Sequence, residues 1–230
     1  MQVMRSRRPV ALLLFISAMA AAFVVRPAAQ QPSPVRGRVT IGIPISTKRA
    51  TNTYSRTIQE AKLAPVSELR NVVVYLKDAP KRPLPPVHAE IKQENEHFIP
   101  RVVAVPVGSV VDFPNADPIY HNVFSLSRTK TFNLGRYPQG QTRPVRFDKA
   151  GLVKVFCEIH SHMSATVMVF DHPWFAVPDD EGRFELPAVP AGNRQITAWH
   201  ERLGDTTLNV RVEGGRPAEA DFVLPVPQQP

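Results

Sequence analysis

The sequence predicts an all-β protein made of short strands closed into antiparallel barrels or sandwiches. Two observations predict it. Valine-rich runs such as Val72–Lys77, Arg101–Val107, Leu152–Phe156 and Ala165–Phe170 are each bounded by Gly, Pro, Asn or Asp. The 24 prolines outnumber the 11 glycines and are scattered through those runs, which suits short strands and rigid loops better than long helices. The length of 230 residues, 43% of them hydrophobic, is enough for one or two domains with real cores.

In chain order, residues 1 to 29 read as an export signal. Arg5, Arg7 and Arg8 give a charged start, Val10–Val25 an apolar run too short for an ordinary membrane span, and Ala-rich triplets offer cleavage points. Localisation is therefore expected to be periplasmic or secreted, with no stable membrane span after cleavage. Residues 30–34 form a polar, proline-rich linker. Val35–Ile45 reads as a strand and turn, Ser46–Arg56 as an exposed loop, and Thr57–Leu63 as a helical turn. Val72–Lys77 is a strand ended by Asp78-Ala79-Pro80. Ala89–Gln93, Arg101–Val107 and Ser109–Phe113 follow as strands, with Gly108 marking a turn. The Asn115-Ala116-Asp117-Pro118 turn delivers His121, and Val123–Leu126 continues as a strand. Thr131–Gly140, with Gly135 and Pro138, reads as a loop. Thr142–Phe147, Leu152–Phe156 and Ala165–Phe170 are strands. Further on, Asp179–Pro187 reads as an acidic turn feeding a strand, Val189–Gly192 as another turn, and Gln195–His200 and Thr206–Val212 as two more strands.

One stretch carries the chemistry. Phe156-Cys157-Glu158-Ile159-His160-Ser161-His162-Met163 holds the single cysteine of the chain. His160 follows it by three residues and Met163 follows His160 by three. Cys157 ends one strand and the next begins near Ala165, so this loop turns back over a barrel end and gathers its side chains around a common point. A thiolate, an imidazole and a thioether together suit copper, whose electron-transfer geometry is a trigonal His₂Cys set with a long axial Met. The second histidine is expected upstream, in His121. The expected metal ligands are therefore His121, Cys157, His160 and Met163, holding one type 1 copper. Zinc also accepts imidazole and thiolate. A lone cysteine is ordinarily a buried structural thiol; here the neighbouring His and Met outweigh that reading. His162 is expected at the surface. Met168 reads as core on the closing strand, His88, His97, His172 and His200 as structural or exposed, and Trp174 and Trp199 as sandwich packing.

The Cys-x2-His-x2-Met loop with its upstream His121-Asn122-Val123 resembles the cupredoxins, and amicyanin and plastocyanin among them. The resemblance covers residues 87–171 and implies a Greek-key barrel holding one type 1 copper. Residues 172–225, with Asp179-x-x-Gly182-x-Phe184 and Val189-Pro190-Ala191-Gly192, resemble the carboxypeptidase regulatory-like, or transthyretin-like, β-sandwich. That family's first strands resemble Gly37-Arg38-Val39 and Val72–Leu76. The fold expected is thus a cupredoxin-like barrel plus a transthyretin-like sandwich. Residues 35–80 and 172–225 form the sandwich and the barrel is inserted between them. Two domains in series, with residues 35–80 adding strands to the barrel, is the other arrangement.

Several functions are disfavoured. The formal charge of +8 owes four positives to Arg5, Arg7, Arg8 and Arg26, and no basic cluster is interleaved with aromatics, so no nucleic acid is expected as a partner. No P-loop, G-x-S-x-G or H-E-x-x-H is present, and a copper oxidase or nitrite reductase needs more histidine ligands. The expectation is not an enzyme but an electron carrier, meeting a redox partner such as a cytochrome or a dehydrogenase. The other reading is a copper-carrying or storage module, or a non-redox β-sandwich for binding or assembly.

Overall fold

The computed structural model describes residues 31–42 and 66–225. The export-signal reading of residues 1–29 and the helical turn at Thr57–Leu63 lie outside the described residues.

The elements are β1 (Ser33–Ile41), α1 (Val66–Leu69), β2 (Val72–Leu76), β3 (His88–Glu90), β4 (Lys92–Glu94), β5 (His97–Ile99), β6 (Val102–Pro106), β7 (Ser109–Pro114), β8 (His121–Ser127), β9 (Lys130–Tyr137), β10 (Thr142–Phe147), β11 (Gly151–Phe156), β12 (Ser164–Phe170), β13 (Phe175–Ala176), β14 (Arg183–Val189), β15 (Gly192–His200), β16 (Gly204–Val212), β17 (Ala218–Glu219) and β18 (Phe222–Leu224). The all-β expectation holds. Four of the five sheets among the described residues form layers, and the fifth is the two-stranded β4-β5 hairpin. The first is β14-β1-β17, with β18 also on β1; the second is β13-β2-β15-β16; the third is β6-β12-β11-β8-β9; the fourth is β10-β7-β3. Most pairs are antiparallel, but β6 with β12, β3 with β7, and β1 with β17 and β18 are parallel.

Three apolar clusters lie between the layers. Val35, Val39, Val72, Val74, Leu76, Leu186, Ile196 and Phe222 join the first two sheets. Val103, Val111, Phe113, Phe147, Val155 and Val167 join the last two. Between the middle sheets lie Val73, Val102, Met168 and Phe170, with Tyr75, Phe175 and Trp199 against them. This middle layer explains why Val72–Leu76 and Ala165–Phe170 read as nearly continuous apolar runs, broken in the second only by the buried Thr166. A strand with one solvent face alternates, whereas one covered on both faces reads as a continuous run. Met168 therefore packs on the outer side of its strand, and Trp199 lies at the junction rather than in the sandwich core. Trp174 does pack in that core. Lys154 reinforces the junction, with Nζ 2.5 Å from Glu201 Oε1.

The region 131–140 corrects the loop reading. Lys130–Tyr137 is a strand paired antiparallel with β8. Phe132 and Leu134 pack on the core and Tyr137 is fully buried. Gly135 (φ 67°) and the polar residues between them are tolerated because β9 is the edge of its sheet. The alternation at 132 and 134 was the strand signal; glycine and proline obscured it.

Two histidines without metal-ligand spacing are structural. The Nδ1 of buried His172 accepts the Trp174 backbone N–H at 3.2 Å, and that of buried His200 accepts those of Arg202 and Leu203 at 3.2 Å. Burial lowers both pKa values, against the opposing charge of Asp171 at His172 and the hydrogen bond and charge of Glu68 at His200. Both rings are therefore neutral when folded, and an unfolded histidine titrates near about 6.5. Because the folded values are depressed, the unfolded chain binds protons first. Stability is full above about pH 6.5 and declines as pH falls below it. Urea midpoints at pH 7.5 and 5.5 should show this decline in the native chain and a smaller one in a His172→Gln/His200→Gln variant. Equal declines in the two proteins would contradict the assignment.

Candidate metal centre

The end of the barrel brings three of the sequence-derived site residues together. His121 opens β8, opposite Tyr137 of β9. Cys157 immediately follows β11. Because Phe156 pairs with Ser164, residues 157–163 form one connection between β11 and β12. The loop is closed by its own backbone: Met163 N–H donates to His160 O at 3.0 Å and Cys157 N–H to Met163 O at 3.4 Å. His121 Nδ1 lies 3.1 Å from His160 Nδ1, and Cys157 Sγ lies 3.9 Å and 3.8 Å from those two nitrogens. The imidazoles meet edge-on, with centroids 4.8 Å apart. His121 and Cys157 are buried and His160 is half-buried. Met163 is 1% exposed and shares the apolar cluster of Cys157. Among the described residues, His121, Cys157 and His160 form the one group of three His, Cys or acidic residues whose ligand atoms all lie within 4.8 Å.

The triangle suits a metal ion. With bonds of about 2.0 Å to nitrogen and 2.3 Å to sulfur, trigonal angles place N···S at about 3.7 Å and N···N at about 3.5 Å. The edges here are 3.8, 3.9 and 3.1 Å, so a small opening between the two imidazoles completes the fit.

Local structure aims His121. Asp117 Oδ2 lies 2.8 Å from its Nε2. A carboxylate accepts, so Nε2 carries the proton and Nδ1 keeps its lone pair facing Cys157 and His160. Asp117 is 6% exposed and accepts two further hydrogen bonds, from the backbone N–H groups of Asn95 (2.6 Å) and Glu96 (2.9 Å). Burial pushes the Asp117 carboxyl up, but the Glu96 N–H, the His121 ring and the Asn95 N–H outweigh it and hold the carboxyl below its ordinary value. Asp117 is itself seated by the Asn115 side chain, whose Oδ1 accepts the Asp117 N–H at 2.9 Å. That amide also donates to the carbonyls of Ile119 (2.8 Å) and Tyr137 (3.1 Å). Asn122 braces the other side, accepting the Glu158 N–H at 3.4 Å and donating to Asn133 Oδ1 at 2.8 Å.

Asp117 is the residue the sequence reading missed. Its signal was an acid four positions before the histidine, inside a turn that begins with Asn115. His162 is exposed, where it was expected. Glu158 pairs with Arg136 at 2.8 Å on the surface, a contact worth little by itself.

No protein-family model and no curated protein matches the chain. Similar solved structures include amicyanin from Paracoccus versutus, 20% identical, covering 42% of this chain and 97% of that one at a TM-score of 0.35. They also include a purple cupredoxin from Nitrosopumilus maritimus, 24% identical, covering 36% of this chain and 99% of that one at 0.33. A third is a copper-containing nitrite reductase from Thermus scotoductus SA-01, 23% identical, covering 38% of this chain but 23% of that one, at 0.35. The chain thus spans about a quarter of the nitrite reductase's length. At such scores the likeness carries no argument, and the site rests on its own geometry: a His–Cys–His triad aimed by a buried carboxylate at the end of an all-β barrel.

Proposed function

We propose that the chain is an exported copper protein acting in one-electron transfer, with His121, Cys157, His160 and Met163 as the ligands of one type 1 copper. The observation that carries this reading is the convergence of two imidazole Nδ1 atoms and one buried thiol within 3.9 Å of one another. Met163, buried on the same loop, supplies the soft fourth donor. Copper held there supplies a Cu(II)/Cu(I) couple, with the thiolate as the main route of electronic coupling. Asp117 fixes the His121 tautomer, and the apolar cluster around Cys157 and Met163 keeps water from the thiol. His160 is the half-buried ligand, so its ring edge is where electrons arrive. Exposed Ile119, Tyr120 and Ile159 lie next to the two ligand histidines in sequence and form a nonpolar rim on which a redox protein, such as a cytochrome or a dehydrogenase, can dock. The half-buried His160 ring, with exposed Ile119, Tyr120 and Ile159 beside the ligands in sequence, favours electron transfer over copper storage.

With this reading goes a domain division. Residues 35–80 and 172–225 form one carboxypeptidase regulatory-like sandwich, and residues 87–171 form the inserted barrel. The separate apolar clusters support it. The export signal and a periplasmic or secreted location belong to the same reading. Among the described residues, no helix is long and apolar enough to cross a membrane.

Voltammetry tests the function. A fast, reversible one-electron couple is expected, and its potential should shift in opposite senses for Met163→Gln and Met163→Leu, because the axial ligand tunes it. Tight Cu(I) binding without a reversible couple would instead support a copper-carrying module.

A further inference from the structure

A second group of imidazoles gathers on the surface beside the buried triad. His97, in β5, and His162, in the 157–163 loop, are both exposed, with ring centroids 6.0 Å apart. Glu96 Oε2 lies 3.6 Å from His162 Nε2. His97 Nδ1 lies 2.6 Å from the Asn95 carbonyl. A carbonyl only accepts, so Nδ1 carries the proton and Nε2 keeps its lone pair. Packing does not account for this grouping, because His97 and His162 lie in solvent and an exposed His–Glu pair contributes little.

We propose that Glu96, His97 and His162 form a second, surface site that captures a divalent cation, Cu(II) first, and hands it to the buried triad. The donors are two imidazoles and a carboxylate with no sulfur, a set that suits Cu(II) and Zn(II) rather than Cu(I). With metal–nitrogen bonds of about 2.0–2.1 Å, two imidazoles sharing an ion have centroids about 5–6 Å apart. The three donor atoms do not all lie within 4.8 Å of one another, as those of the triad do, so sharing an ion takes a rotation of these exposed side chains. The path inward is short. His162 lies 6.0 Å from His160, and His160 lies 4.8 Å from His121, centroid to centroid. The ion moves as Cu(II) throughout, with no change of oxidation state. An ion on Glu96 and His162 also clamps the ligand loop to the turn whose backbone N–H groups hold Asp117. The handover rests on the copper reading of the triad; the surface site does not.

The test is a Cu(II) titration of the protein followed by visible absorption and electron paramagnetic resonance. His97→Gln and His162→Gln are the variants, and His88→Gln, on another exposed histidine, is the control. Two equivalents should bind to the native chain. One gives the thiolate band. The other gives a weakly absorbing, nitrogen-coordinated signal with broad hyperfine splitting and no thiolate band. Each variant should lose the second equivalent, keep the first, and fill the triad more slowly when Cu(II) is limiting; His88→Gln should behave as native. One equivalent in the native chain, or a second that survives in both variants, overturns the surface site. Loss of the second equivalent with unchanged filling of the triad overturns the handover. A broad signal that depends on His97 and His162, without any thiolate band, upholds the surface site and sinks the copper reading of the triad.

Discussion

Asp117→Ala is expected to weaken copper binding by about 10–100-fold, the usual consequence of removing a carboxylate that orients a ligand histidine. His121 is fully buried, and its Nε2–H has the Asp117 carboxylate as its partner. Without that partner the ring can rotate or change tautomer, and the lone pair leaves the triad. The N–H groups of Asn95 and Glu96 lose their acceptor as well. A stability loss of about 1–3 kcal/mol should therefore accompany the loss of affinity. Asp117→Asn keeps an acceptor oxygen but not the charge, and should fall between the two. Competition with a copper chelator measures the affinity and urea unfolding the stability. A folded Asp117→Ala protein with native affinity would show that the loop alone aims the ligands.

Phe170→Ala should destabilise the protein by about 3–4 kcal/mol, at the level of large aromatic deletions from a core. Phe170 ends β12 and is 8% exposed. Its ring stacks on Phe175 at 4.5 Å, meets Tyr75 at 5.5 Å and His172 at 5.2 Å. These contacts join the strand after the ligand loop to the second sheet. Their loss acts on the junction more than on either core. If the proposed domain division holds, calorimetry should show one transition in the native chain and two in Phe170→Ala. Leu126→Ala, at a residue 76% exposed, should leave the transition unchanged. A single transition at the native temperature in Phe170→Ala would refute the junction's role.

Sequence pattern and structure agree where the chemistry is local. Cys157 and His160 are three residues apart in one loop, so their meeting needs only a hairpin. His121 was legible because its turn and the following Asn122 marked it. Asp117 was legible only as an acid four positions before His121; the backbone N–H groups that hold its carboxylate come from the β4–β5 turn, and nothing in Asn-Ala-Asp-Pro announces that contact. The Val-rich runs gave the strands, but not why two of them lack the alternation of a half-exposed strand. That required the middle layer, where Val73 and Met168 pack between the second and third sheets. The Lys130–Tyr137 strand was hidden by Gly135 and by its place at a sheet edge. Edge strands tolerate the residues that usually mark loops. Trp199 was read as sandwich core because hydrophobicity reports burial but not which layer does the burying.

The central claim is that a thiolate and two imidazoles hold copper at the barrel end. A Cu(II) titration of the native chain beside Cys157→Ser, followed by visible absorption and electron paramagnetic resonance, tests it most directly. An intense thiolate-to-copper band that colours the protein blue, with narrow copper hyperfine splitting, is expected in the native protein and absent from Cys157→Ser. A pale Cu(II) spectrum that Cys157→Ser leaves unchanged would contradict the claim and leave a β-rich binding module.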